Sequence, residues 1–542
     1  MARNSVFFII LFFLVGGLSA QVNRYAIHFK DKDTALFMQS DPENFLSVRA
    51  LDRRKRQNIS LSIQDFPVST NYLRRLKEAG VHVYYTSRWK NCAIVQEEEA
   101  TLAQFDFIDR IEYLARGERL TKTNDRNRRP TSFEVPPRVE SSTDFQNKLL
   151  GVDKMHDDGY LGENMLIAVF DDGYEGVNVY QPFAHLFTGN KITETWNFVT
   201  NDENVFVFDD HGTKVLTGIA AFYQGEENDI SGTAPNADYM LFITEDIRNE
   251  FRIEEYNWLL AAEKADSAGA DVINASLGYS TFTDKSMNYT PDDMDGETAI
   301  CTQAANIASL KGMIVVVSAG NEGGSSWRTL TSPADAKNIL AVGSVNIELE
   351  RSGFSSFGPS ADGRTKPDVS ALGSFATIML DDGVITTGNG TSFSSPQMAG
   401  MAAGVWQARP DWTNLQVMDS IRLTSSQASM RDDELGYGIP NFRRAISNIK
   451  LSVEDILNDK IKVYPNPFHD NKIYVDFSSS TIKHEITVTM IDIKGTEIYK
   501  ITLDRNNKPE ELEITFDSME KGTYFLIIKS KKYHKSVKLI KF

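Results

Sequence analysis

A chain of 542 residues, 41% of them hydrophobic and 24% charged, has room for about three ordinary globular domains at ~100–200 residues each. Its formal charge of −17 leaves no basic surplus for phosphate, which excludes nucleic acid as the main partner. The only two cysteines, Cys92 and Cys301, exclude a disulfide scaffold and read as small buried apolar residues.

Residues 1–20 carry Arg3, an unbroken apolar run from Val6 to Val15 and a small-residue end at Ser19-Ala20, the pattern of a signal peptide. No later segment reaches membrane-spanning length without charge. Residues 21–120 read as a small α+β unit. Strands are expected at Tyr25–Phe29, Val81–Tyr85, Cys92–Val95 and Ile108–Leu114, with a helix at Thr70–Ala79 that stops at Gly80 and a short one at Ala100–Phe105. A polar, charged stretch with three prolines, Arg116 to Ser142, predicts an exposed and cleavable linker, whose core we place at 121–144.

From 145 to 450 short apolar runs alternate with Ala- and Gly-rich helical stretches. Met165–Phe170, Tyr239–Ile243, Val272–Asn274, Met313–Ser318 and Ile339–Val342 read as buried strands, and Gly212–Phe222, Ile253–Ala268 and Glu297–Leu310 as helices. Doubly apolar strands alternating with helices imply an α/β fold, a doubly wound parallel sheet covered on both faces. Residues 460–542 change character again, alternating apolar and polar residues between turn signals such as Pro465-Asn466-Pro467 and Lys494-Gly495, the pattern of a small β-sandwich. Charge agrees: from Lys460 to Phe542 there are 15 Lys and Arg against 11 Asp and Glu, a net +4 that leaves −21 upstream.

Four segments of the middle domain carry chemistry-bearing residues at strand ends or helix starts. IAVFDDGYEG leaves Asp171 at the carboxyl end of a strand, and DDHGTKVLTGIAA opens a helix with His211. IVVVSAGNEGG places Asn321 just past a strand, and GNGTSFSSPQMAGMAAGVW puts Ser392 at the start of a small-residue helix. Amide hydrolysis at neutral pH needs an activated nucleophile, a base and donors for the oxyanion. A helix amino terminus favours the negative charge that develops at Ser392. His211 has the side chain suited to shuttling the proton, Asp171 would hold its tautomer, and Asn321 would offer an N–H to the oxyanion.

The order Asp…His…Ser with DDG, HGT and GTSFSSP, together with SAGNEG, NASLG (274–278) and GTAPNA (232–237), resembles the subtilisin-like serine peptidases over some 300 residues. That resemblance implies a secreted serine endopeptidase made as a zymogen, with Asp171, His211 and Ser392 as its triad and Asn321 in the oxyanion hole. It also implies a substrate pocket walled by Ser276, Leu277, Gly278, Ala319 and Gly320, and protein or peptide substrates. No metal ligand and no required cofactor is read. Calcium is possible in this family, but the acidic run Asp284…Asp292-Asp293…Asp295 matches no calcium-loop spacing and reads as a solvated loop.

Two departures stand out. Asp172 occupies a position that is usually Ser or Thr, and because successive strand residues face opposite ways it need not crowd the site. Phe393 replaces the Met that many relatives carry beside the nucleophile. His156 and His185 have no motif around them and read as surface or structural residues. The 21–120 unit resembles subtilase propeptides, a partner of its own peptidase domain. The tail, with YPNPF at 464–468 and KGTYFL at 521–526, resembles type IX secretion sorting domains of Bacteroidetes. It implies a secretion-machinery partner and a secreted or outer-surface location, with a carbohydrate- or matrix-binding sandwich as the plainer alternative. Three other readings compete for the middle domain. An adhesin on a decayed scaffold is opposed by the complete residue set, and an esterase by the missing second Gly of G-x-S-x-G. A sedolisin peptidase would use Glu and Asp as partners, which HGT fits poorly.

Overall fold

The computed structural model describes residues 23–32, 41–116, 130, 132–225, 228–447, 462–477, 485–492, 496–504, 511–516, 519–530 and 533–542. The expected signal peptide, the Lys494-Gly495 turn and most of 117–131 lie outside them. Two compact units divide the chain, 1–448 and 449–542.

The first unit opens with a four-stranded antiparallel sheet: β1 (Asn23–Phe29), β2 (Val83–Ser87), β3 (Cys92–Glu97) and β4 (Ile108–Arg116), in the order β2-β3-β1-β4. One face of this sheet packs Tyr25, Ile27, Ala93 and Val95 against the helix Thr70–Glu78, whose Leu76 is fully buried. The other face, with Ala26, Cys92 and Ile94, joins the hydrophobic core of the domain that follows. Both cysteines are free and buried. A second helix, α1 (Val48–Arg56), was not anticipated. Its buried residues are Ala50, Arg53 and Arg54, so charge rather than apolar spacing marks its inner face.

Seven parallel strands follow: β5 (Leu166–Asp171), β6 (Ile192–Asn197), β7 (Asp238–Ile243), β8 (Val272–Ala275), β9 (Ile314–Ser318), β10 (Leu340–Val345) and β11 (Val369–Leu372). Their spatial order is β11-β10-β9-β8-β5-β7-β6. Alternation within β5 explains why it is apolar throughout. Ile167 and Val169 face one core, shared with the helix α2 (Thr391–Ala408), while Leu166, Ala168 and Phe170 face the other, with the helix Ile253–Ala268 and its Trp258. From β5 the chain runs outward on one side to β6 and β7 and on the other from β8 to β11, so the winding reverses between β5 and β8. That reversal opens a crevice at the carboxyl ends of those strands, the usual ligand position in open α/β sheets.

The expected linker is only partly free. Glu134 N–H donates to Val179 O at 2.8 Å and Glu140 N–H to Ile385 O at 2.9 Å, while the Ser141 and Thr377 hydroxyls meet at 2.8 Å. Residues 132–144 therefore run along the surface of the peptidase-like domain, exposed for the most part as expected yet tethered, because some of their backbone groups find partners there. The acidic run also has local work. The Asp284, Asp293 and Asp295 carboxylates accept from the backbone N–H groups of Ser286, Thr290, Glu297 and Thr298 and so close turns.

The second unit contains a three-stranded sheet, Lys462–Tyr464, Lys472–Asp476 and Glu511–Thr515, and a four-stranded sheet from Ile486–Asp492, Glu497–Leu503, Gly522–Ser530 and Tyr533–Lys541. Ile473, Val475 and Ile514 of the first pack with Val488, Met490, Leu526 and Ile528 of the second in one core, as the period-2 pattern predicts for a sandwich.

Candidate active site

Asp171 is the last residue of β5 and fully buried, and His211 is the first residue of the helix His211–Ala220. His211 Nδ1 lies 2.6 Å from Asp171 Oδ1, an ion-pair hydrogen bond that fixes the proton on Nδ1 and leaves Nε2 as the acceptor in the neutral ring. The helix start is held by Asp209, whose Oδ1 accepts from the N–H groups of Asp210 and His211 at 2.7 and 3.2 Å. Gly173 brings the two segments together. A Cβ there would stand 2.3 Å from Val207 O and 2.5 Å from Asp209 O, so any side chain would push the histidine loop off the aspartate turn.

Ser392 sits in the first turn of α2, 7% exposed. Its hydroxyl donates to Ser276 O at 3.1 Å, and Ser276 Oγ donates back to Ser392 O at 3.0 Å. Among the described hydrogen bonds Ser392 Oγ has no link to His211. The Ser276 hydroxyl also accepts from Asn274 Nδ2 at 3.2 Å, and Asn274 Oδ1 accepts from Ser395 Oγ at 2.9 Å, tying the end of β8 to the start of α2.

Asn321, past the end of β9, accepts through Oδ1 from both the backbone N–H and the hydroxyl of Thr391, each at 2.9 Å. A backbone N–H can only donate, so the amide orientation is settled and its NH₂ is left to serve a ligand oxygen. The neighbouring strands β8 and β9 bring Ser276, Leu277 and Gly278 alongside Ala319 and Gly320. Gly278 and Gly320 both crowd Thr331, and Gly320 has φ +105°, a conformation that disfavours any side chain. Sequence reasoning had no signal for Thr391 as the anchor of Asn321 or for Asp209 as the support of His211. His156 and His185 bond to the carbonyls of Thr233 and Pro235, the structural role expected.

Asp172 corrects an expectation. Strand alternation cannot direct it outward because β5 ends at Asp171 and residue 172 lies in a bend. Ligand-type atoms of Asp171, Asp172 and His211 lie within 4.8 Å of one another. Burial first, then the Asp171 charge, pushes the Asp172 carboxyl up to about 8. Burial pulls the His211 imidazole down, but the Asp171 charge and hydrogen bond, with the Asp172 charge, outweigh it and raise the ring to about 9.

A metal in this cluster would compete with the Asp171–His211 hydrogen bond. A second set of carboxylates within 4.8 Å comprises Glu245, Glu250 and Glu254. Glu254 already accepts from the N–H groups of Asp246 and Phe251, and Glu245 from the hydroxyls of Thr244 and Tyr279. Burial, then their mutual repulsion, raises Glu245 and Glu254 above the carboxylate range.

Residues 162–438 match the model of the subtilase family, residues 24–131 that of the Peptidase S8 propeptide domain of Bacteroidota, and residues 462–541 that of the secretion system C-terminal sorting domain. Subtilisin NAT of Bacillus subtilis subsp. natto is 32% identical over 276 residues, which cover 50% of this chain and 63% of that protein. Subtilisin of Bacillus pumilus is 32% identical over 276 residues, covering 87% of its length and 50% of this chain. The crystal structure of MycP1 with its N-terminal propeptide removed aligns at TM-score 0.44 and 22% identity, over 56% of this chain and 96% of that one. No helix among the described residues is long and apolar enough to cross a membrane.

Proposed function

The chain belongs to the subtilase family, and from that premise we propose that it is a serine endopeptidase made as a zymogen and exported through its C-terminal sorting domain to the medium or the outer cell surface. The observation that carries the reading is the Asp171–His211 hydrogen bond of 2.6 Å in the same crevice as Ser392 and Asn321.

In the proposed reaction Ser392 turns from Ser276 O toward His211 Nε2 and loses its proton to that nitrogen as Oγ bonds to the scissile carbonyl carbon. The tetrahedral oxyanion takes the Asn321 NH₂ and the backbone N–H at the start of α2, where the helix dipole adds to the field. Asp171 stabilises the imidazolium. Collapse breaks the C–N bond, and the proton on Nε2 leaves with the amine. Water then repeats the sequence on the acyl-enzyme and frees the acid. Substrate side chains enter between the ends of β8 and β9, with Ser276, Leu277, Gly278, Ala319 and Gly320 as walls. No cofactor is required in this scheme.

Support for the zymogen comes from the packing of the 23–116 unit on the helix Ile253–Ala268. Release would follow a cut in the basic segment between that unit and residue 132. A fluorophosphonate probe and a denatured protein substrate test the reading together. The secreted protein is expected to be labelled at Ser392 and to cleave the substrate, and Ser392→Ala to do neither. Wild-type turnover by Ser392→Ala would refute it.

A further inference from the structure

Beside the His211 pair sits a carboxylate that the reaction scheme above does not use. Asp172 donates its backbone N–H to Asp171 Oδ1 at 3.0 Å, and a carboxylate oxygen of Asp172 lies within 4.8 Å of the Asp171 and His211 ligand atoms. Its Oδ1 is buried and meets no donor group among the described residues, while its carboxyl lies within hydrogen-bond reach of the Asp171 carboxylate. A buried oxygen without a donor is disfavoured unless something nearby answers its charge. A ring nitrogen of His211 lies within 4.8 Å of the Asp172 carboxylate, and the imidazolium that forms there is a cation facing it.

We propose that Asp172 is a positioning residue for hydrolysis, acting through His211: its carboxylate stabilises and steadies the imidazolium that forms when Ser392 gives up its proton. The proposal rests on the triad reading above. Asp171 holds the ring by a directed bond to Nδ1. Asp172 adds its charge close to the same ring. The other groups around the pair do not duplicate it. Asp209 is spent on the N–H groups of Asp210 and His211, and Lys214 is paired with Asp210. Glu245, which acts on Asp172 from the end of β7, is held by Thr244 and Tyr279 and pushed upward by burial. Tyr174 is buried beneath, its hydroxyl donating to Val169 O. The raised imidazole and the raised Asp172 carboxyl, each acted on by the other's charge, agree with a shared site.

The test separates this role from a structural one. In the full-length Ser392→Ala chain, which cannot digest itself, the His211 resonance is titrated by NMR with and without Asp172→Asn. One charge at this distance shifts a neighbour by about one pH unit or more, so the midpoint is expected to fall from about 9 by at least roughly one unit. Asp172→Glu is expected to keep most of the upward shift, and the His156 and His185 resonances, which report folding, to stay in place. In the active enzyme the acid limb of kcat/KM moves to lower pH by the same interval in Asp172→Asn, so that on that limb the variant is about tenfold faster than wild type.

An unmoved His211 midpoint in a folded Asp172→Asn chain overturns the proposal. A rise in KM with the limb unchanged also overturns it, by making Asp172 a substrate contact. Loss of the triad reading would register separately, as absent fluorophosphonate labelling of Ser392 in wild type.

Discussion

Replacing Asp266 by Asn keeps the volume of one side chain and removes the charge that joins the N-terminal unit to the peptidase domain. Asp266 lies on the helix Ile253–Ala268 and is fully buried. Arg53 and Arg54 of α1 and Arg88 of the strand-connecting turn all donate to it, Arg54 at 2.8 Å and Arg88 at 3.1 Å. Arg53 is 0% and Arg54 2% exposed, so neither guanidinium has water to fall back on. Asp65 answers Arg54 and Lys311 at 2.9 Å, but nothing else among the described side chains meets Arg53 with a charge at hydrogen-bond distance. Removing one partner from a buried ion pair costs about 3–5 kcal/mol, because the other charge stays buried. Urea unfolding of the full-length Ser392→Ala chain, followed by tryptophan fluorescence, would read the loss, since Trp89 and Trp258 share the core at this interface. The comparison is Arg74→Ala, which breaks the exposed Arg74–Glu78 pair and is expected to cost about 0–1 kcal/mol. A loss for Asp266→Asn no larger than for Arg74→Ala would refute the reasoning.

Two other expectations follow from the site. Asn321→Ala should lower kcat by about 10²–10³-fold with little change in KM, the general cost of one lost oxyanion donor, and an unchanged kcat would remove Asn321 from that role. Phe393→Met should make the enzyme lose activity faster in dilute peroxide: the Phe393 ring lies 6.0 Å from the His211 ring, where a sulfoxide would bring a polar group, whereas Met398 and Met401 are fully buried. Equal loss in both proteins would place the sensitive residue elsewhere.

The candidate site residues were readable because Asp171 ends a strand and His211 and Ser392 open helices, positions that short local patterns of strand, turn and small-residue helix mark in the sequence. The helix Ile253–Ala268 was bounded to the residue, since Gly269 with φ +92° ends it. Alternation failed where chain geometry changed. Asp172 lies one residue beyond its strand, so a period of two no longer governs it. The helix α1 went unseen because a hydropathy pattern cannot register an inner face made of Arg53 and Arg54, whose burial depends on Asp65 and Asp266 far along the chain. β6 was missed for a related reason. As an edge strand it is mostly half-buried, and ITETWN shows no continuous apolar run.

The paired bonds between Ser276 and Ser392 carry a consequence for how such an enzyme can change. In the proposed reading, one residue of the pocket wall accepts the hydrogen bond of the nucleophile's hydroxyl through its carbonyl and donates to the nucleophile's own carbonyl through its hydroxyl. Selectivity and reactivity are thus mechanically linked, and a lineage cannot reshape this part of the wall without also retuning the nucleophile. New side-chain preferences are acquired more cheaply at Leu277 or around Thr331, which border the pocket but leave that linkage untouched.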